Sequence, residues 1–276
     1  MGLQWYPGHM TKARRELAAL MPSQDVVVEV LDARLPGASS NPVLEALRGA
    51  KPCVKVLTRS DLADPEQTRA WLAHFGQERN VSAFAASKDR PDETRKRIHA
   101  LCKDTARARG PDKAVRALIL GVPNVGKSTL INLLMQKKIA AVGDKPAVTK
   151  AQQSVVLKNG MKLTDSPGLM WPKIEDERSA LMLALAGSIP DTAIDYLTTA
   201  MFGAELLLGA YPALIASHYK LSEIPASPQT LLEHIGRRSG GLRAGGVIDM
   251  NKAAELFVHA FRAGVIGRMT LERPSS

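Results

Sequence analysis

Residues 121–128 read Gly-Val-Pro-Asn-Val-Gly-Lys-Ser, the spacing GxxxxGK[ST], between a strand-like apolar run at 115–120 and a helix-like segment starting near Ser128. That context gives the pattern a mechanism. Glycine lets the backbone curl so that successive N–H groups and a helix N-terminus converge on one anion, which suits phosphate oxygens. Lys127 then faces the β- and γ-phosphates and Ser128 faces Mg²⁺, while Asn124, Val125, Gly126 and Thr129 complete the loop and the helix start. The stretch predicts a nucleotide-binding α/β fold.

Downstream, Asp165-Ser166-Pro167-Gly168 follows another strand-like run. At the C-terminal edge of a sheet, such a carboxylate can hold Mg²⁺ while the Gly168 N–H meets the γ-phosphate. A DxxG sequence alone is a common turn. Its place behind the phosphate loop, with Thr149 between them as a candidate metal-binding threonine, makes it informative. The loop at 144–149 is expected to order when γ-phosphate and metal are present and to relax when they leave.

A guanine site needs a carboxylate for the base N1–H and exocyclic amine, a polar residue near N7, and a cationic stem over the ring. The usual spelling, NKxD, does not follow the phosphate loop: Asn251-Lys252 is succeeded by two alanines. Ahead of it, the run at 53–57 ends in Thr58-Arg59-Ser60-Asp61, where Asp61 keeps the decisive carboxylate. Ala86 and Ser87, ending the next run, are candidates for an amide to the guanine O6. Ser60 or Asp61 reads equally well as a helix cap before Leu62. Their position at the end of a candidate parallel strand, where α/β folds bind ligands, favours the base-binding reading.

Four strand-like runs, at 25–31, 53–57, 81–85 and 115–120, alternate with helix-like segments at 41–47, 65–75 and 92–108, the pattern of a doubly wound parallel sheet. A hairpin is expected at 153–164, turning at Lys158-Asn159-Gly160. Beyond Trp171-Pro172 only helical spacing remains, at 180–186, 193–208, 212–219, 228–235 and 252–263. The sequence therefore divides into an α/β domain at 1–174 and a small all-helical domain at 175–276, with Leu197, Met201, Leu206, Leu207 and Leu208 as candidate core.

The net charge of +10 is unevenly spread: residues 1–174 hold 28 of the 37 Lys and Arg but 16 of the 27 Asp and Glu, an excess of +12, against −2 for the remainder. A nucleotide needs only a few cations, so the surplus suggests a polyanion such as RNA. Cys53 and Cys102 are far apart and outside any metal-ligand spacing, which disfavours a disulfide framework or zinc site. The N-terminus lacks a signal-peptide core, and no run is long and apolar enough to span a bilayer; a cytoplasmic location without membrane insertion is expected.

The order of parts, with the base motif before the phosphate loop, resembles the circularly permuted GTPases. Trp5-Tyr6-Pro7-Gly8-His9-Met10, Asp32-Ala33-Arg34-Leu35-Pro36, residues 146–150 (PAVTK) and residues 165–173 (DSPGLMWPK) narrow the likeness to the ribosome biogenesis GTPase A family of large-subunit assembly factors, over essentially the whole chain. The resemblance implies a GTP-hydrolysing maturation switch on the large (50S) ribosomal subunit precursor and its rRNA, using GTP/GDP and Mg²⁺ and monomeric off the ribosome. Asn124 corresponds to a residue that helps bind K⁺ in potassium-stimulated GTPases; its plain alternative is shaping the loop. Leu169 stands where many GTPases carry a water-orienting glutamine, and the resemblance points instead to His9, whose alternative is a structural place at a Pro-Gly turn. The family usually has Asn and Lys where this chain has Thr58 and Arg59. It also implies RNA contact by the helical domain, where Arg237, Arg238, Arg243, Arg262 and Arg268 are candidates, and the α/β domain offers Lys12, Arg14, Arg15 and Arg95-Lys96-Arg97. A P-loop ATPase and a non-catalytic RNA-binding scaffold remain alternatives on the residues alone.

Overall fold

The computed structural model describes residues 7–106, 114–136, 153–166, 176–238 and 247–274. Six strands, β1 (Val26–Asp32), β2 (Cys53–Thr58), β3 (Val81–Ala85), β4 (Arg116–Leu120), β5 (Gln153–Val156) and β6 (Lys162–Asp165), form one sheet in the order β3-β2-β1-β4-β6-β5. All neighbours are parallel except β5 and β6, which make the expected hairpin. β1 and β2 are buried along their whole length, as continuous Val/Leu runs require when helices cover both faces of a sheet. Even Glu29 and Lys55, directly opposite each other on these strands, are buried, with Lys55 Nζ lying 3.8 Å from Glu29 and 3.1 Å from Glu78.

Around the sheet lie α1 (Pro7–Leu20), α2 (Pro36–Ser39), α3 (Pro42–Arg48), α4 (Pro65–Gly76), α5 (Pro91–Ala106) and α6 (Lys127–Met135). Prolines open α2, α3 and α4 at positions where a missing N–H costs nothing, and the Asn41 and Asp64 side chains cap α3 and α4. α1 carries no strong helical pattern in the sequence, because its charged surface leaves only a narrow seam through the buried Leu17.

The C-terminal part is helical: α7 (Glu177–Ala186), α8 (Tyr196–Ala210), α9 (Pro212–Tyr219), α10 (Pro228–Arg238) and α11 (Met250–Ala263). The expected core of α8 needs correction. Of the five apolar residues singled out, only Leu207 is fully buried; the inward stripe is Thr199, Ala200, Gly203, Ala204 and Leu207. Small residues let α8 approach its neighbours closely: a Cβ on Gly203 would stand 2.8 Å from Leu185 Cδ2. The larger leucines flank that seam.

A boundary near residue 175 separates two secondary-structure patterns, but the packing crosses it. One buried cluster runs from Val28 and Val30 of the sheet through α7 and α8 to Phe257 and Phe261 of α11. Burying each phenylalanine contributes about 2–3 kcal/mol. After α11 the chain returns to the α/β part: Met269 N donates to Leu62 O (3.0 Å), Leu271 N to Arg34 O (2.7 Å), and Ala38 N to Glu272 Oε1 (2.9 Å).

Candidate functional site

The phosphate loop leaves β4 at Gly121, whose φ of +150° and close approach to Val30 O, 2.5 Å from where a Cβ would lie, exclude any side chain. Asn124 and Gly126 adopt positive φ, and the chain then enters α6 at Lys127 with Ser128 and Thr129 in its first turn. Lys127 is buried and donates to Val122 O at 2.7 Å. Burial pulls its pKa down to about 8, with Asp165 opposing that shift.

Asp165 ends β6 beside this loop. Burial pushes its carboxyl up to about 6 against the pull of Lys127, and its buried Oδ1 has no hydrogen-bond partner among the described residues. An orphaned carboxylate oxygen at the end of β6 has the chemistry to hold a hard divalent cation, a place for which Asp165 and Ser128 are the candidates. Ser166 Oγ anchors the strand end by donating to Ile119 O (2.9 Å). Thr149 and Gly168 lie outside the described residues. His9 falls in the first turns of α1, and its side chain is likewise outside them.

At the base end, the structure assigns hydrogen bonds the sequence did not specify. Thr58 Oγ1 lies 2.6 Å from Val125 O and 2.9 Å from Leu31 O, bracing the phosphate loop. Arg59, at φ +57°, sends Nη2 to Asn124 O (2.7 Å) and Nη1 to Asp32 (2.9 Å). Its guanidinium is therefore held at the loop, leaving the aliphatic stem to cover a ring. Ser60 Oγ donates to Ala86 O (3.0 Å), joining the two base loops. The Ala86 N–H is already donated to Leu57 O (2.8 Å), so the amide expected for the guanine O6 falls to Ser87. Asp61 is partly exposed, with Lys88 Nζ at 3.6 Å. A cleft of about 820 Å³ opens beside it, lined in part by Ser60, Ser87, Arg90 and Arg268.

Two arginines expected on an RNA-facing surface are hydrogen-bonded within the chain, Arg262 part-buried and Arg268 still exposed. Arg262 donates to Leu185 O and Ala184 O at the end of α7 and pairs with Asp191; Arg268 donates to Ser60 O and Ala63 O, both at 3.0 Å. Carbonyls at a helix end and in a tight loop need donors, and a guanidinium supplies several in one plane. Arg237 and Arg238 remain exposed, and Arg243 lies outside the described residues. Asn124 has an unforeseen role too: its Nδ2 donates to Gly187 O (2.8 Å), the left-handed cap of α7. Asp32 and Arg34, quoted above only for the likeness they carry, prove to be neighbours of this site: Asp32 ends β1 and accepts from both Arg34 and Arg59.

Three comparisons bear on this geometry. The family model described as 50S ribosome-binding GTPase matches residues 116–197. Ribosome biogenesis GTPase A from Bacillus pumilus is 41% identical over the full length of both chains, and the protein of that name from Thermotoga maritima is 34% identical, covering 99% of this chain and 95% of its own. The crystal structure of GNP-bound YlqF from T. maritima superposes with a TM-score of 0.71 at 30% identity, covering 96% of this chain and 99% of that one.

Proposed function

Since the chain belongs to the ribosome biogenesis GTPase A family, we propose that it is a cytoplasmic, Mg²⁺-dependent GTP hydrolase that engages the large ribosomal subunit precursor and leaves it on hydrolysis. The observation that carries the reading is the junction of two motifs: Thr58 and Arg59 of the base motif bond directly to Val125 and Asn124 of the phosphate loop. Base recognition and phosphate binding are thereby fixed in one frame.

In this reading Asp61 selects guanine, and the Arg59 stem and the Ser87 amide complete the base pocket. Lys127 exchanges the Val122 carbonyl for phosphate oxygens, a replacement that a desolvated ammonium favours strongly. Mg²⁺ held by Ser128, Thr149 and Asp165 neutralises charge on the β- and γ-phosphates when bound. Gly168 meets the γ-phosphate through its N–H, and His9 orients the attacking water. A K⁺ role for Asn124 falls to its Oδ1, the only atom of the amide that can coordinate a cation; its Nδ2 donates to Gly187 O. Contact with rRNA is supported by an open groove lined by Arg95, Lys96, His99 and Lys158, together with Arg237 and Arg238 of α10.

The deciding experiment is co-sedimentation of the chain with large-subunit precursors under GTP, a non-hydrolysable analogue and GDP, with phosphate release measured in the same samples. Retention with the analogue and loss with GDP are expected; equal retention in all three would overturn the switch. His9→Ala should keep GTP affinity and lose subunit-stimulated turnover.

A further inference from the structure

The motif Asp32-Ala33-Arg34-Leu35-Pro36 takes no part in the chemistry above, yet Asp32 ends the central strand β1, with Thr58 opposite it on β2 and the phosphate loop leaving β4 on its other side. Both carboxylate oxygens of Asp32 are engaged by guanidiniums. Oδ1 accepts from Arg34 Nε (3.0 Å) and from the Arg34 backbone N–H (3.0 Å); Oδ2 accepts from Arg34 Nη2 (2.8 Å) and Arg59 Nη1 (2.9 Å). Arg34 then reaches across to α11, donating through Nη1 to Phe261 O (3.2 Å) and Arg262 O (3.4 Å).

Arg59 is the only one of these side chains with substantial exposure, at 33%, against 1% for Asp32 and Arg34. A long side chain at a surface has many rotamers, and two fixed acceptors, one on each terminal nitrogen, select one. The selected orientation places the stem beside the base motif and one nitrogen on Asn124 O. A lysine ammonium is a single nitrogen and cannot put separate nitrogens on two acceptors, so Arg59 in this chain is suited to its partnership with Asp32.

We propose that Asp32 is a positioning residue of the guanine site: it holds Arg59 against the phosphate loop, while Arg34 anchors the same carboxylate to the end of α11. The inference rests on the reading of Thr58 to Asp61 as the base motif. It gives the DARLP sequence a role in nucleotide retention without contact with the nucleotide.

The test is the rate of release of fluorescent N-methylanthraniloyl-GDP from the full chain, for Asp32→Asn, Arg59→Met and the double variant, with competition by GDP and ADP measured first on the unmodified chain. Asp32→Asn should speed release about tenfold or more, the scale of a lost charged hydrogen bond. With Arg59→Met already present, the same substitution should add less than about twofold. Additive effects would overturn the positioning role, because general loosening speeds release whatever residue stands at 59. If Asp32→Asn does not melt cooperatively, Arg34→Lys replaces it in the same cycle: it keeps the buried charge but loses the fork, and the same non-additivity is required. Absence of guanine preference in the unmodified chain would overturn the base-motif reading and the inference together; guanine preference with an additive cycle overturns the inference alone.

Discussion

The two ends of the site are built on opposite principles. At the phosphate end, Lys127 and Asp165 are buried, each is pushed toward its neutral form by desolvation, and one carboxylate oxygen has no described partner. At the base end, Thr58, Arg59, Ser60 and Asp32 have their hydrogen bonds supplied by the protein itself. Burial alone would raise Asp32, but Arg34 and Arg59 outweigh it and hold the carboxyl down at about 2. One end holds charge disfavoured by burial; the other is preassembled. On the proposed function, affinity and selectivity would be lodged in different places.

Substitutions should separate them in a definite order. Lys127→Ala removes the cation of the phosphate end and should weaken GTP binding about a hundredfold or more, measured by equilibrium titration, while GTP remains preferred over ATP. Asp61→Ala should do the reverse, leaving nucleotide binding measurable while the preference for GTP over ATP drops by about a hundredfold in competition. An Asp61→Ala chain with intact preference would break the comparison outright.

Acidity offers a smaller but sharper contrast, because the signs differ. Lys127, lowered to about 8 in the fold, is penalised while charged, so the nucleotide-free chain should gain stability as pH rises above about 8. GTP affinity should fall over the same range by up to about tenfold per pH unit, since the ammonium is what binds phosphate. Asp165, raised to about 6, is also penalised while charged, but being an acid it adds stability as pH falls from about 6 toward its ordinary value, whereas Mg²⁺ binding weakens there. Asp32 differs from both in being favoured while charged: its contribution of roughly 2 kcal/mol is complete above about pH 4 and lost as pH falls to about 2, a slope opposite to that of Asp165. Melting of the nucleotide-free chain across pH, beside titrations with GTP, reads all three. The smallest effect is expected from Arg268→Ala, which removes donors to Ser60 O and Ala63 O and should speed GDP release about threefold to tenfold.

The sheet and most helices were legible because their cause is local. Continuous Val/Leu runs mark β1, β2 and β4, while proline and glycine punctuate the helices on either side. The phosphate loop was equally plain, since its glycines and Lys127 act within eight residues. What escaped was nonlocal. Nothing near Arg268 indicates that its donors belong to the loop at Ser60, and nothing near Asn124 announces the α7 cap at Gly187. Likewise, nothing near Arg262 shows that its guanidinium bonds the carbonyls ending α7, whereas Arg268 keeps the exposed position expected of it. α8 was misread for a related reason: leucines advertise a core, but close helix contact selects glycine and alanine.

The bond between Arg268 and Ser60 joins residues 208 positions apart in the sequence. During synthesis at about 5–20 residues per second, roughly ten to forty seconds separate the emergence of one partner from that of the other. Over that interval the base loop exists without its C-terminal brace, and Glu272 has yet to reach Ala38. Full support of the base loop is therefore acquired only once Arg268 has emerged. A shorter fragment that carries both motifs but stops before Arg268 should release GDP faster than the chain that includes it.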